Sequence, residues 1–233
     1  MPLPRLTRTD PDLPTRGIVL MLHGGAKTGK RPVGSRSASL RRTTAMRDAL
    51  APHVVDAGVS LWLLRFTVRG WNADEGPEPS PVPDARWALD QAAASHPGTP
   101  VVLLGHSMGA RTAIHVADHP SIVGVVGLAP WLEPSDPVRR LAGKHFVAGH
   151  GSRDKITSAR MTRAYVDQAR GTAASAEFVD MGRLGHYMLH RPSDWNQLAL
   201  RASLSIIERT QAKDDTLPED VDAGGVSEAA SVG

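Results

Sequence analysis

The sequence predicts an α/β fold, with a mostly parallel central sheet of six or seven strands and helices on both faces. Three observations carry that reading. Short apolar runs alternate with segments of helical periodicity along most of the 233 residues. The runs at 17–22, 101–104 and 122–128 are continuously apolar, as strands buried on both faces are. Polar clusters follow six separate runs: His23-Gly24-Gly25, Arg69 to Asn72, Ser107, Trp131, Asp154 and His186. In open parallel sheets, ligands bind outside the carboxyl ends of the strands.

Residues 1–16 are rich in Pro, Arg and Thr and read as an extended lead-in with room for one short edge strand. The first core strand is 17–22. A basic, Gly-rich loop runs from there to about Ser39. Helical spacing covers 40–57 (Leu40, Met46, Leu50, Val54) and stops at Gly58, a good C-terminal cap. Residues 59–66 form the next strand. Residues 73–83 hold Gly76 and four prolines and read as a loop, after which Asp84 caps a helix running to Ser95. Pro97-Gly98-Thr99-Pro100 turns into the strand from Val101, and a helix follows it to about Asp118. Strands at 122–128, 144–148 and 176–180 and helices at 158–170 and 194–209 complete the alternation. The domain is thus expected over 17–210, with 211–233 a disordered acidic tail lacking periodicity.

Between the strand at Val101 and its helix stands Gly105-His106-Ser107-Met108-Gly109. A Gly-x-Ser-x-Gly at a tight strand-to-helix turn lifts the serine hydroxyl clear of the sheet. The two glycines let strand and helix approach. The plainer alternative is a βα turn with a capping serine. A serine hydroxyl needs a base in reach, and the base needs an acid to hold its tautomer. Ser107, Asp154 and His186 follow one another in the order serine, acid, histidine, each after a strand. Glu133 and Asp136 are the substitute acids, and His190 is the rival base. His106, His145 and His150 read as structural. A developing oxyanion needs two N–H donors. Met108, directly after Ser107, and Gly25, in the loop after the first strand, are the candidates, with Ala26 next. His23 reads as orienting that loop.

The chain resembles the α/β-hydrolase-fold serine hydrolases over about residues 17–210, as a small, lidless, esterase-like member. The matching residues are His23-Gly24-Gly25, Gly105 to Gly109, His150-Gly151-Ser152-Arg153-Asp154 and Gly185-His186. The resemblance implies a Ser-His-Asp triad, an acyl-enzyme intermediate and no cofactor. Two departures matter. Many members begin with an antiparallel hairpin, but only 16 residues precede the first core strand here, so it is missing or cut down. Many carry a helical lid after the strand at 122–128, where this chain has a connection of about 15 residues, too short for one. Serine at the elbow also argues against the dehalogenases and epoxide hydrolases, which use aspartate there, and the dienelactone hydrolases, which use cysteine.

Composition narrows the function further. There is no cysteine, which excludes disulfides, a thiol nucleophile and Cys-ligated metal. The first residues lack an apolar signal segment, and no run is long enough to span a bilayer, so a cytoplasmic protein without membrane contact is expected. The formal charge is +3, but residues from Gln211 onward carry −5 and those before them +8. The basic body reads as a solvated arginine-rich surface rather than a nucleic-acid site. Residues 24–31 nearly match a phosphate-binding loop, but Arg31 replaces the hydroxyl that binds Mg²⁺ and Pro32 resists the helix that should follow. The expected activity is cleavage of a small-molecule ester or thioester, with no metal. A non-catalytic binding protein of the same fold is the alternative. Trp71, Trp131 and Tyr187 are candidates to line an acyl or aromatic pocket, and Lys27, Lys30, Arg31, Arg36, Arg41 and Arg42 form a basic stretch beside it. The sequence leaves the oligomeric state open.

Overall fold

The computed structural model describes residues 3–214. Seven strands and five helices follow one another as β1 (Arg5–Thr9), β2 (Ile18–Leu22), α1 (Ala38–Asp56), β3 (Ser60–Arg65), α2 (Pro81–Ser95), β4 (Val101–His106), α3 (Met108–Val116), β5 (Ile122–Leu128), β6 (His145–His150), α4 (Ala159–Ala169), β7 (Ser175–Asp180) and α5 (Pro192–Asp214). The strands form one sheet in the order β1-β3-β2-β4-β5-β6-β7. All neighbours are parallel except β1, which pairs antiparallel with β3. The expected edge strand is therefore present, as the antiparallel neighbour of β3.

The continuous apolar runs become the buried centre. Every residue of β2 and β4 is buried. Helices α1 and α5 pack together on one face, and α2 packs on α3 on the other. Each contributes an apolar stripe to the same core, as with Leu40, Met46, Leu50 and Val54 of α1.

Several boundaries differ from the sequence reading. Helix α2 starts at Pro81, three residues before Asp84. Proline suits the first turn of a helix because its missing N–H would have no intrahelical partner there. Asp84 consequently does not cap the helix. It turns to the end of β3 and accepts hydrogen bonds from Thr67 N (2.7 Å) and Thr67 Oγ1 (2.9 Å). Strand β6 runs to His150, two residues further than expected. Helix α5 continues past Arg209 to Asp214, and Gln211 Nε2 donates to Arg16 O at 3.0 Å. The rest of the expected tail lies outside the described residues. Between β5 and β6 the chain makes a single 3₁₀ turn, Val138–Leu141. Among the described residues, no lid covers the carboxyl ends of the strands.

Candidate active site

The strand-to-helix turn after β4 forces Ser107 to φ 53° and ψ −116°, a region rarely occupied by residues with a side chain. The turn is pinned from both sides. Ser107 N donates to Leu128 O at 3.1 Å, and Ser107 O accepts from Ala110 N (3.1 Å) and Trp131 N (3.2 Å). Both glycines of the motif are sterically required. A Cβ at Gly105 would lie 2.4 Å from Ala110 N, and one at Gly109 would lie 2.1 Å from Leu22 O. The small residues thus admit the helix to its own strand and to the neighbouring β2.

The loops after β4, β6 and β7 bring Ser107, Asp154 and His186 together. His186 Nε2 lies 3.0 Å from Ser107 Oγ, and His186 Nδ1 lies 2.7 Å from Asp154 Oδ2. A carboxylate oxygen only accepts, so Nδ1–H donates to it and the Nε2 lone pair faces the serine hydroxyl. Asp154 Oδ1 accepts from the N–H groups of Ile156 (2.7 Å) and Thr157 (2.9 Å). Its Oδ2 also accepts from Thr157 Oγ1 (2.8 Å) and His150 Nε2 (3.0 Å). Burial would raise the pKa of this carboxyl. The side-chain donors His150 and His186 and the two N–H groups outweigh that and hold it well below the usual carboxylate range.

Two residues around this trio escaped the sequence reading. His150 reads as structural in the sequence, but its contact with the acid was not anticipated: its Nε2–H steadies Asp154 while its Nδ1 meets Thr162 Oγ1 at 2.8 Å. Thr157 belongs to no motif, and only the turn after Asp154 brings its hydroxyl round. His106 is buried, and its Nε2–H donates to the carbonyl of His186 at 3.0 Å. Its pKa is lowered to about 3, first by burial and then by the closeness of the His186 ring, with the Arg42 charge adding to them, so the ring is neutral. His145 bonds Ser175 Oγ far from the trio, and His190 is exposed.

Among the described residues, no protein group accepts the N–H of Met108 or of Gly25, whereas Ala26 N donates to Arg69 O at 2.9 Å. Gly25 has to be glycine: a Cβ there would lie 2.4 Å from Met108 Cε and 2.5 Å from Arg69 O. His23 is fully buried behind this loop. Its Nδ1–H donates to Gly24 O (2.7 Å), and its Nε2 accepts from Phe66 N (3.2 Å). Burial lowers its pKa to about 4, in keeping with a neutral ring that needs one donor and one acceptor. The stretch that resembles a phosphate loop is tied down instead. Gly29 N donates to Asn72 Oδ1 at 2.8 Å, and the next helix begins only at Ala38.

Ser107 and His186 open onto a cavity of about 160 Å³, lined also by Gly24, Gly25, Ala38, Arg42, Tyr187 and Leu189. Of the three aromatic candidates, only Tyr187 reaches it. Trp71 and Trp131 instead clasp the guanidinium of Arg111, 4.6 and 4.4 Å from the two ring centroids. Arg111 Nε donates to Asp136 Oδ1 (2.8 Å) and Nη2 to Glu133 Oε2 (3.1 Å). The substitute acids are therefore bound in this cluster. Nothing in the sequence foretold it, because Arg111 lies one turn into α3, outside every motif.

Residues 80–148 match the family model described as serine aminopeptidase, S33. No curated protein sequence matches the chain. Solved structures match over nearly the whole fold. An alpha-beta serine hydrolase homologue from Coxiella burnetii is 17% identical, with a TM-score of 0.64 over 85% of this chain and 91% of that one. Est1E from Butyrivibrio proteoclasticus, solved with ferulic acid bound, is 14% identical, with a TM-score of 0.66 over 88% and 96%. XC6422 from Xanthomonas campestris, described as an a/b serine hydrolase without lid, is 15% identical, with a TM-score of 0.60 over 89% of each chain. Likeness at these identities speaks to architecture, and it agrees with the strand order and the bare strand ends: the chain has the α/β-hydrolase fold in its lidless form.

Proposed function

We propose that this protein is a serine hydrolase that transfers an acyl group from a small ester or thioester to Ser107 and then to water. The observation that carries the reading is the unbroken hydrogen-bond chain Ser107 Oγ–His186–Asp154, with the nucleophile at a strained, glycine-flanked elbow. In the first step His186 Nε2 takes the hydroxyl proton as Oγ attacks the carbonyl carbon. The negative charge forming on the carbonyl oxygen is met by the N–H groups of Met108 and Gly25. Collapse of the tetrahedral intermediate expels the alcohol or thiol, which receives the proton from His186. Water then repeats the sequence on the acyl-enzyme. Asp154 stays ionised throughout, holds the imidazole in the right tautomer and stabilises the imidazolium.

An intact nucleophile–base–acid chain favours this over a fold used only for binding. The test is a panel of 4-nitrophenyl esters and acyl thioesters. Turnover of at least one class is expected, and Ser107→Ala is expected to lower kcat by roughly 10³-fold or more. Turnover that survives Ser107→Ala would contradict the assignment.

A further inference from the structure

The cavity at Ser107 holds one charged side chain that the acyl-transfer steps do not use. Arg42, on α1, lines it together with Ser107, His186, Gly25, Tyr187 and Leu189. Its Nη2 donates to Met188 O at 3.0 Å, while its Nε is buried and meets no acceptor. Arg111, another guanidinium near the strand ends, is neutralised by Asp136 and Glu133. Among the described residues Arg42 has no such partner: burial lowers its pKa, and no carboxylate restores it. An arginine stays charged in such a setting. A half-buried cation without a counter-ion is costly, and an anion brought beside it recovers that cost. Ala38, the first residue of the 19-residue α1, lines the same cavity, so the positive end of that helix adds to the field.

Apart from Ser39 and the neutral His106, the remaining lining is glycine or apolar, with Ala38 and the exposed rim residues Tyr187 and Leu189. One fixed cation in a small apolar pocket is the usual form of a specificity site. Size narrows the ligand. About 160 Å³ accommodates a fragment of roughly benzene's bulk, so the anion and the scissile carbonyl must be only a few bonds apart. We propose that Arg42 selects esters or thioesters that carry a carboxylate a few bonds from the scissile carbonyl, such as half-esters of short dicarboxylic acids. This rests on the hydrolase reading above.

A merely structural role makes a different demand. Met188, whose carbonyl Arg42 holds, sits two residues after His186 at φ 55°. If Arg42 only tethered that segment, its loss would loosen His186 and slow every substrate alike. The experiment compares kcat/KM for 4-nitrophenyl butyrate and for the 4-nitrophenyl half-ester of glutarate in wild type and Arg42→Gln. The substitution is expected to lower the half-ester value roughly 10- to 100-fold more than the butyrate value, the range for losing a hydrogen bond to a charged group. Equal losses on both esters, or a wild type that disfavours the half-ester, would overturn the proposal. If neither ester is hydrolysed, the hydrolase reading is left to the wider ester and thioester panel, and calorimetric titration with glutarate decides the anion site separately. Weaker binding to Arg42→Gln than to wild type upholds the site, and equal or undetectable binding to both overturns it.

Discussion

Asp154 accepts hydrogen bonds from five donors, and its place in the mechanism follows from them. An amide in its place cannot stabilise an imidazolium and presents an N–H where Nδ1–H must donate. Asp154→Asn is expected to lower kcat by roughly 10⁴-fold in a protein that still folds, as steady-state kinetics and circular dichroism would show. Asp136 marks the contrast. Its side chain is 1% exposed and pairs with Arg111 and His115. Asp136→Asn breaks a buried pair and is expected to cost roughly 3 kcal/mol in denaturant unfolding, with kcat of the folded fraction nearly unchanged. The opposite pattern would place the triad acid on the wrong carboxylate. Both aspartates follow strands, and the sequence distinguished them only by the chain order and the turn around Asp154. Trp71 and Trp131 show where such reasoning ends. A position just after a strand says that a residue is near the site, but not which way its side chain turns. Arg111, which draws both rings away, sits where periodicity marks only a helix.

At the scale of elements, the elbow concentrates most of the constraint. Gly109 lies against the carbonyl of Leu22, so the angle between α3 and β2 depends on a missing side chain. Gly109→Ala is expected to destabilise the fold by several kcal/mol, read as a lower urea midpoint, because backbone rather than a flexible side chain must yield. An unchanged midpoint would mean that the helix has freedom the packing does not suggest. The elbow was legible in the sequence because its motif states a steric requirement directly. Strands β2 and β5 were legible because burial on both faces leaves no polar residue in them. The start of α2 was not. Four prolines in 73–83 read as loop, yet Pro81 and Pro83 occupy the one turn of a helix that tolerates them. Competition from Thr67 for Asp84, which decides that boundary, is a long-range contact invisible to local patterning.

The molecule as a whole stakes its acid stability on buried neutral histidines. The folded pKa values of His23, about 4, and His106, about 3, lie below the 6.5 of an unfolded ring. Between those limits the unfolded chain binds the extra protons, so stability falls as pH falls from about 6.5 towards 4 and 3. For His23 alone the loss is on the order of 3 kcal/mol. Asp154, depressed in the fold, adds a further loss once pH drops below the ordinary carboxylate range. Urea unfolding at a series of pH values is expected to show this slope, and His23→Leu to flatten it while lowering stability at pH 7. A wild-type stability that is level from pH 7 to 4 would contradict the burial of neutral rings.

The central claim is that Ser107 is an activated nucleophile, and a fluorophosphonate probe tests it most directly because it requires no knowledge of the substrate. The probe reacts with a serine hydroxyl only where a base and oxyanion donors act together. Stoichiometric labelling of Ser107 is expected, located by mass spectrometry of the digested protein. It should disappear in Ser107→Ala and fall sharply in Asp154→Asn and in a variant lacking the His186 imidazole. Labelling that persists in Ser107→Ala, or a wild-type protein that the probe leaves untouched, would contradict the account.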